Sequence, residues 1–383
     1  MKVAHVVARM ITESSGPSYS VPSLCKALAA QGAEVELHMV GDAPHLDSSI
    51  KIVTYRGVPF LDRLGVSPAM KNGLVKAAAS ADIMHTHSLW MMPNIYPLTA
   101  VNKSDKCKLL VSPRGTLSDS AMSRSKFRKR LMWQAGQKGV VQQADCIHAT
   151  AMEELEDVRR LQIATDVAVI PNGIDLPVAS SASQELSSDR RQLLFLSRIH
   201  PKKGIDGLLN VWARLEKSFP EWELIIAGPI DGDYPRQMQQ KVIDMGIARV
   251  SFPGELTGKV KSNVFMQADC LALPTHSENF GMVVAEALAH ETPVVVTKGA
   301  PWRGVEENDC GWWIDIGEPA LEDALTHMMA LPKDKLKRMG ANGRAWMRED
   351  YSWSKIAENM MDTYRWLKGE GECPQVVHKV TSE

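Results

Sequence analysis

The sequence predicts an α/β protein of two doubly wound domains, and three observations carry that reading. Short apolar runs alternate with helical periodicities from end to end of the 383-residue chain. The alternation stops once, at 171–191 (PNGIDLPVASSASQELSSDRR), a stretch rich in Ser, Pro, Asn and Asp that reads as an interdomain linker, and then restarts. The length also exceeds what one hydrophobic core comfortably serves.

The first half offers strands at 2–8, 34–40, 81–85, 108–112, 145–149 and 167–170, with helical patterns between them such as 18–31 and 151–161. After the linker, QLLFLS (192–197) reads as a strand, 204–217 as a helix and WELIIAG (222–228) as a strand. DCLALP (269–274) and PVVVT (293–297) are nearly continuous apolar runs, the pattern of parallel strands covered on both faces. The stretch 351–369 is a terminal amphipathic helix anchored by Trp353, Ile356, Met360, Met361, Tyr364 and Trp366. The domains expected are therefore 1–175 and 176–352, with 353–383 as a closing helix and tail. Ligands of open parallel sheets bind beyond the carboxyl ends of the strands, so the loops that follow the strands are where chemistry is sought.

Composition narrows the classes. Lys and Arg number 44 against 45 Asp and Glu, a formal net charge of −1, which argues against a general nucleic-acid binder. No apolar run approaches the roughly 20 residues that span a bilayer, and the opening MKVAHVVARM has no signal-peptide pattern. Cys25, Cys107, Cys146, Cys270, Cys310 and Cys373 are scattered without a C-x-x-C, which suggests reduced thiols in a cytoplasmic protein.

The loop SRIHPKKGIDGLL (197–209) sets Arg198 after a strand and Lys203-Gly204 before a helix. Two cations beside a helix N-terminus suit a diphosphate; a solvated basic turn is the alternative. MITESSGPSYSV (10–21) follows the first strand and holds Gly16 among Ser14, Ser15 and Ser18, where backbone N–H groups can approach an anion. It is no G-x-G-x-x-G, and by itself it is a weak signal.

The stretch 275–299 (THSENFGMVVAEALAHETPVVVTKG) poses a question. Glu278 precedes Asn279-Phe280-Gly281, and Glu286 is a lone carboxylate among Met282-Val283-Val284-Ala285 and Ala287-Leu288-Ala289. A buried charge costs several kcal/mol unless it is paired or hydrogen-bonded. With a helix starting near Gly281, the two acids flank its N-terminus, an arrangement that accepts hydrogen bonds from sugar hydroxyls while free N–H groups hold phosphate or hydroxyl oxygens. The plainer alternative makes Glu278 a capping acid and pairs Glu286 with an arginine elsewhere.

Together the basic turn, the glycine loop and the E-x7-E around Asn279-Phe280-Gly281 resemble the retaining glycosyltransferases of family 4, group 1 enzymes of the GT-B fold. VIPNGID (169–175), IIAGP (225–229), FPGELTGKV (252–260) and ADCLALPTHSENFGMVVAEALAHETPVVVT (268–297) match as well, so the resemblance covers nearly the whole chain. It implies two Rossmann-like domains facing across a deep cleft, with 1–175 binding the acceptor, 176–352 binding the nucleotide sugar, and the final helix crossing back to the first domain. It implies that Arg198 and Lys203 hold the donor diphosphate, that Glu278 contacts the donor sugar, and that Glu286 binds the ribose. It further implies that Asn279, Phe280, Gly281 and Met282 face the sugar or diphosphate, that Gly16 closes on the diphosphate, and that Gly228, Pro253 and Gly254 wall the base. No metal or other cofactor is expected.

One departure stands out. Many relatives carry a histidine in the loop after the strand that corresponds to KLLVS, whereas here SPRGTLSDS places Arg114-Gly115 there. Arg114 and His87 are the acceptor-side candidates. MHTHSLW (84–90) also hints at a metal pair, but no third ligand is evident nearby in the sequence.

The segment 122–138 (MSRSKFRKRLMWQAGQK) clusters Arg124, Lys126, Arg128, Lys129 and Arg130 with Phe127, Leu131, Met132 and Trp133. As a helix it presents Phe127 and Leu131 on one face and suits an anionic membrane surface through 124–133; a solvated basic face over a buried stripe is the alternative. The expected activity is transfer of a sugar from a UDP- or GDP-sugar to a lipid-linked or soluble glycan acceptor in bacterial surface polysaccharide synthesis. The expected place is the cytoplasm, peripheral on the inner face of the membrane. A nucleotide-sugar epimerase of the same fold and a non-catalytic nucleotide-sugar-binding module are the competing readings.

Overall fold

The computed structural model describes residues 1–10, 16–42, 49–123, 125–177 and 190–380. The chain divides into two compact units, one formed by Met1–Gly173 with Trp353–Glu383 and the other by Ile174–Ser352. In chain order the strands of the first unit are β1 (Lys2–Val7), β2 (Glu34–Val40), β3 (Lys51–Tyr55), β4 (Ile83–His87), β5 (Lys108–Ser112), β6 (Cys146–Ala149) and β7 (Val167–Val169). The second unit contributes β8 (Arg191–Leu196), β9 (Trp222–Ala227), β10 (Val250–Gly254), β11 (Cys270–Leu273), β12 (Val294–Thr297) and β13 (Gly311–Ile314). The last strand, β14 (Val377–His378), belongs to the first unit.

The first sheet has the order β14-β7-β6-β5-β4-β1-β2-β3 and is parallel except for the antiparallel β14–β7 pair. Its strands obey the period of two that sends alternate side chains to opposite faces. Val3 and Val7 of β1 join the core under the helices Gly16–Ala30 and Trp353–Leu367, while Ala4 and Val6 join a second core with Met70 and Leu74 of the helix Pro68–Ala78. Both faces are therefore covered, as an all-parallel sheet requires. The closing helix is set by its apolar face: Ile356, Met360, Met361 and Tyr364 are buried.

The second sheet runs β10-β9-β8-β11-β12-β13 and is parallel throughout. One core surrounds it, with Leu193, Leu194, Phe195, Leu271, Leu273, Val294 and Val296 among its fully buried residues.

Three expectations need correction. The strands β3, β10, β13 and β14 were not anticipated from the sequence, and each is an edge of its sheet. An edge strand has one covered flank and tolerates polar residues, Pro and Gly, so KIVTY and VSFPG carry no continuous apolar run. The segment 122–138 is not one helix: a helix ends at Met122, another spans Lys126–Met132, and a π-turn with Gly136 at φ 147° follows. The stripe of that middle helix is not buried either, since Phe127 and Leu131 are exposed. Ser14 and Ser15, Arg124 and most of the linker (178–189) lie outside the described residues.

Candidate active site

In the second unit, loops beyond β8, β9, β10, β11 and β12 converge at the carboxyl edge of the sheet. After β8 the chain makes a single turn of 3-10 helix, Pro201–Lys203, and enters the helix Ile205–Leu215 through Gly204 at φ 71°. A Cβ on Gly204 would lie 2.0 Å from the carbonyl oxygen of Pro274, so only glycine lets this turn lie against the loop after β11. Gly228 plays the same part beyond β9: its Cβ would lie 1.9 Å from the Ser197 carbonyl oxygen. Its N–H donates to the Gly254 carbonyl at 2.9 Å, which joins this loop to the end of β10, where Pro253 is exposed and Gly254 buried.

The loop after β11 is pinned from two sides. The His276 N–H and the Thr275 hydroxyl donate to the Lys202 carbonyl at 2.8 and 3.1 Å, and the Glu278 N–H donates to the Gly299 carbonyl at 2.7 Å. Lys203 and Glu278 thereby meet, and the Lys203 ammonium forms an ion pair with the Glu278 carboxylate while both side chains keep a little solvent contact. Thr275 Oγ1 also lies 3.3 Å from the same carboxylate. Arg198, on the same loop as Lys203, is exposed.

Gly281, at φ 81°, precedes the helix Met282–Ala289. The first N–H groups of that helix have no carbonyl of their own helix to reach. Phe280 is buried against Trp302, with ring centres 5.1 Å apart, while Asn279 and Met282 are half-buried. Glu286 is not the lone buried charge its neighbours suggested. It is half-buried and forms an ion pair with Lys261, from the helix Gly258–Gln267, at 2.6 Å. Sequence reading missed Lys261 because a partner 25 positions away on another helix leaves no local signature.

In the first unit, a second polar cluster lies on the face covered by Gly16–Ala30 and Trp353–Leu367. Polar residues follow apolar ones on that face: Ile83 then His85 and His87, Leu110 then Ser112, Cys146 then His148, while in β1 His5 sits between Val3 and Val7. Hydrogen bonding fixes the tautomers. His148 Nε2 must donate to the Ile170 carbonyl at 2.8 Å, so its Nδ1 accepts from Ser112 Oγ at 2.6 Å. Ser112 then accepts from His85 Nε2 at 2.8 Å, and His85 Nδ1 accepts from the Tyr364 hydroxyl at 2.8 Å. A parallel chain starts at Arg114, whose guanidinium donates to His87 Nδ1 at 3.3 Å; His87 Nε2 donates in turn to His5 Nδ1 at 2.9 Å.

All four imidazoles are neutral. Burial, reinforced by the Arg114 charge, lowers His5 and His148 to about 3; burial followed by neighbouring groups puts His85 and His87 well below the usual range. Arg114 is half-buried, adopts φ 56°, and also donates to Asn172 Oδ1 and to Ser20 Oγ. Burial pulls it down to about 10, still fully charged at neutral pH. Glu154, fully enclosed, fixes the next turn by accepting from the Gly115 N–H at 2.5 Å and from the N–H and hydroxyl of Thr150.

His5 overturns the sequence-based statement that His85 and His87 have no third ligand nearby: ligand nitrogens of His5, His85 and His87 lie within 4.8 Å of one another. The surrounding bonds are nevertheless those of a proton-ordered chain. A metal-bound imidazole donates through its other nitrogen, whereas the far nitrogen of His87 accepts from a guanidinium. Gly16, at the exposed start of its helix, is the described remnant of the glycine loop.

In comparison with known proteins the chain matches two family models: glycosyl transferases group 1 over residues 179–346 and a glycosyl transferase 4-like domain over 15–173. The D-inositol 3-phosphate glycosyltransferase of Xylanimonas cellulosilytica is 28% identical over 92% of this chain and 92% of its own length. The phosphatidyl-myo-inositol mannosyltransferase of Mycobacterium leprae is 25% identical over 98% of this chain and 100% of its own. Among solved structures, Anabaena HepE in complex with UDP and glucose superimposes with a TM-score of 0.72 at 17% identity, covering 95% of this chain and 99% of that one.

Proposed function

We propose that this chain, which belongs to the group 1 glycosyltransferases and has their GT-B fold, moves a hexose from a UDP- or GDP-sugar to a lipid-linked glycan with retention at the anomeric carbon. The observation that carries the donor half is the meeting of Lys203 and Glu278 beside the start of the helix Met282–Ala289. Cation, hydroxyl acceptor and helix N–H groups stand together where a sugar diphosphate needs all three.

In this reading the donor separates the ion pair. Its diphosphate takes Lys203 and Arg198, and Glu278 is released to accept from the sugar hydroxyls. Asn279, Phe280, Gly281 and Met282 border the sugar, Glu286 accepts from the ribose with Lys261 steadying it, and Gly228, Pro253 and Gly254 wall the base. As the anomeric C–O bond breaks, its electron pair goes to the diphosphate oxygen, where fixed cations stabilise the developing charge. The acceptor hydroxyl then bonds to the same face of the sugar and passes its proton to that phosphate. Such a site requires no metal, because its own cations do the neutralising. Arg114 and His87 belong to the acceptor side.

The acceptor class is supported by the name of the mycobacterial relative, which acts on a phosphatidylinositol. It is supported also by the exposed basic helix Lys126–Met132, suited to the cytoplasmic face of an anionic membrane. Among the described residues no helix is long and apolar enough to cross a membrane. We place the product in a surface polysaccharide such as O-antigen, capsule or exopolysaccharide.

The test is incubation with UDP- and GDP-hexoses, with and without a bacterial lipid extract, in the presence of a chelator. Release of nucleoside diphosphate that needs the extract, with an axial linkage kept from an axial donor, is the expected result. A new nucleotide sugar formed without acceptor would point to epimerisation and overturn the proposal, as would activity abolished by the chelator for its metal-independent part.

A further inference from the structure

We infer that the loop 56–66 of the first unit is an apolar membrane-inserting element which, beside the basic helix Lys126–Met132, seats this unit on an anionic lipid bilayer. The inference rests on the membrane reading of that helix and adds a second element of different chemistry.

The loop is built to hold its tip still. The Val58 N–H donates to the Val66 carbonyl at 2.8 Å across its base, the Gly65 N–H to the Asp62 carbonyl at 3.0 Å, and Arg9 pairs with Asp62 at 3.3 Å. At the tip Phe60 adopts φ 70°, a conformation that a bulky residue rarely takes, and it is fully exposed. Leu61 and Leu64 beside it are 43% and 40% exposed. Single exposed leucines need no explanation, but a pinned loop that holds three large apolar side chains in water gives up several kcal/mol of possible burial.

The loop and the basic helix share one foundation. Gly65 packs so closely on the segment after β4 that an added Cβ would lie 3.0 Å from Met91 Cε and 3.1 Å from Pro93 Cδ. In that same segment Trp90 faces Trp133, with ring centres 5.9 Å apart, and carries the Lys129 ammonium 5.4 Å above its ring. Both elements thus follow the carboxyl ends of strands of one sheet, the loop after the edge strand β3 and the helix after β5, and both pack on the segment after β4. The helix adds Phe127 and Leu131, 82% and 62% exposed.

Charge identifies the occupant. Lys126, Arg128 and Arg130 of the helix and Arg56 and Arg63 of the loop are exposed, and the helix carries no acid. The loop's one acid, Asp62, is engaged by Arg9. Apolar tips among cations fit the boundary between headgroups and acyl chains of an anionic bilayer. A second copy of the chain would set the same cations against one another, so self-association through this face is disfavoured.

The test uses the full chain, its Phe60→Ser/Leu61→Ser variant and its Lys126→Ser/Arg128→Ser/Arg130→Ser variant. Each is floated with vesicles of phosphatidylcholine alone or of equal parts phosphatidylcholine and phosphatidylglycerol. The wild-type chain should bind the anionic vesicles; the loop variant should bind them at least about tenfold more weakly while keeping the preference for anionic lipid, and the helix variant should lose that preference. Binding of UDP in solution should be unchanged in both variants, which keeps this result separate from the donor-site reading. A loop variant that floats as well as the wild type overturns the inference and leaves the helix reading standing. Failure of the wild-type chain to float overturns both. A dimer that dissociates on changing Phe60 and Leu61, without vesicle binding, would make a second copy the occupant and also overturn it.

Discussion

The two units share an architecture, a parallel sheet with ligand-side loops at its carboxyl edge, yet they organise polarity there in opposite ways. In the second unit the polar groups are charged and paired, Lys203 with Glu278 and Lys261 with Glu286, and each pair keeps some contact with water. In the first they are neutral and buried, a chain of imidazoles and hydroxyls ending in the half-buried Arg114. Charged pairs at a half-open edge can be exchanged for a charged ligand at small cost, because each partner finds a new counter-charge. A buried neutral chain cannot be exchanged; it fixes the geometry of what it holds. Under the proposed function, the difference separates a unit that takes up and releases an anion from one that holds a cationic side chain in place.

The largest effect should come from the exchangeable pair. Glu278→Ala is expected to lower kcat by roughly 10²–10³-fold with nucleoside diphosphate affinity within a few-fold of wild type, read by steady-state kinetics beside calorimetry. Lys203→Ala should weaken diphosphate binding as well as turnover. If Glu278→Ala instead changes affinity alone, the assignment of sugar and diphosphate to the two partners must be reversed.

Acid should break the other unit first. The unfolded chain protonates its histidines near 6.5, whereas folding pushes His5 and His148 to about 3 and His85 and His87 well down. The unfolded state therefore binds more protons between those values, so this stability is complete above pH 6.5 and is lost as pH falls through the window toward 3. In the second unit His290 is likewise lowered by burial, but it stands apart from any such cluster. Hydrogen exchange at pH 5 should show β1, β4, β5 and β6 losing protection before β8, β11 and β12; the opposite order would refute the contrast.

Arg114→Gln should cost about 1–3 kcal/mol of stability in denaturant unfolding, since His87 and Asn172 lose a donor that nothing else supplies. It should also reduce kcat/KM for the acceptor more than for the donor. Glu286→Ala is expected to weaken nucleotide binding by about tenfold, with Lys261 left unpaired. The smallest effect is Tyr364→Phe, which deprives His85 Nδ1 of its donor and should cost about 1 kcal/mol with donor affinity unchanged.

How far the sequence could be read follows the same contrast. The second unit's residues lie in contiguous strand–turn–helix stretches, so Lys203, Gly204, Glu278 and Gly281 announced themselves, and only the pairing of Lys203 with Glu278 and the presence of Lys261 had to await folding. The first unit's network draws on positions 5, 85, 87, 112, 114, 148, 172 and 364; His85, His87 and Arg114 stand out in the sequence, but nothing in their own segments links them to the other five. One clue was available: at a period of two, I-x-H-x-H in β4 and V-x-H in β1 put polar residues on a face that was otherwise apolar. The strands missed were sheet edges, where one flank is uncovered and apolar continuity is not required.

By itself the sequence determined the α/β class, the central strands, the closing helix and the local motifs of the second unit, because burial on both faces and the conformations of glycine write themselves into neighbouring positions. Only the tertiary structure decided which charges pair, which tautomer each histidine adopts, and that Phe60, Phe127 and Leu131 face solvent. Those outcomes depend on groups brought together from distant parts of the chain, whose distances and desolvation no local pattern records.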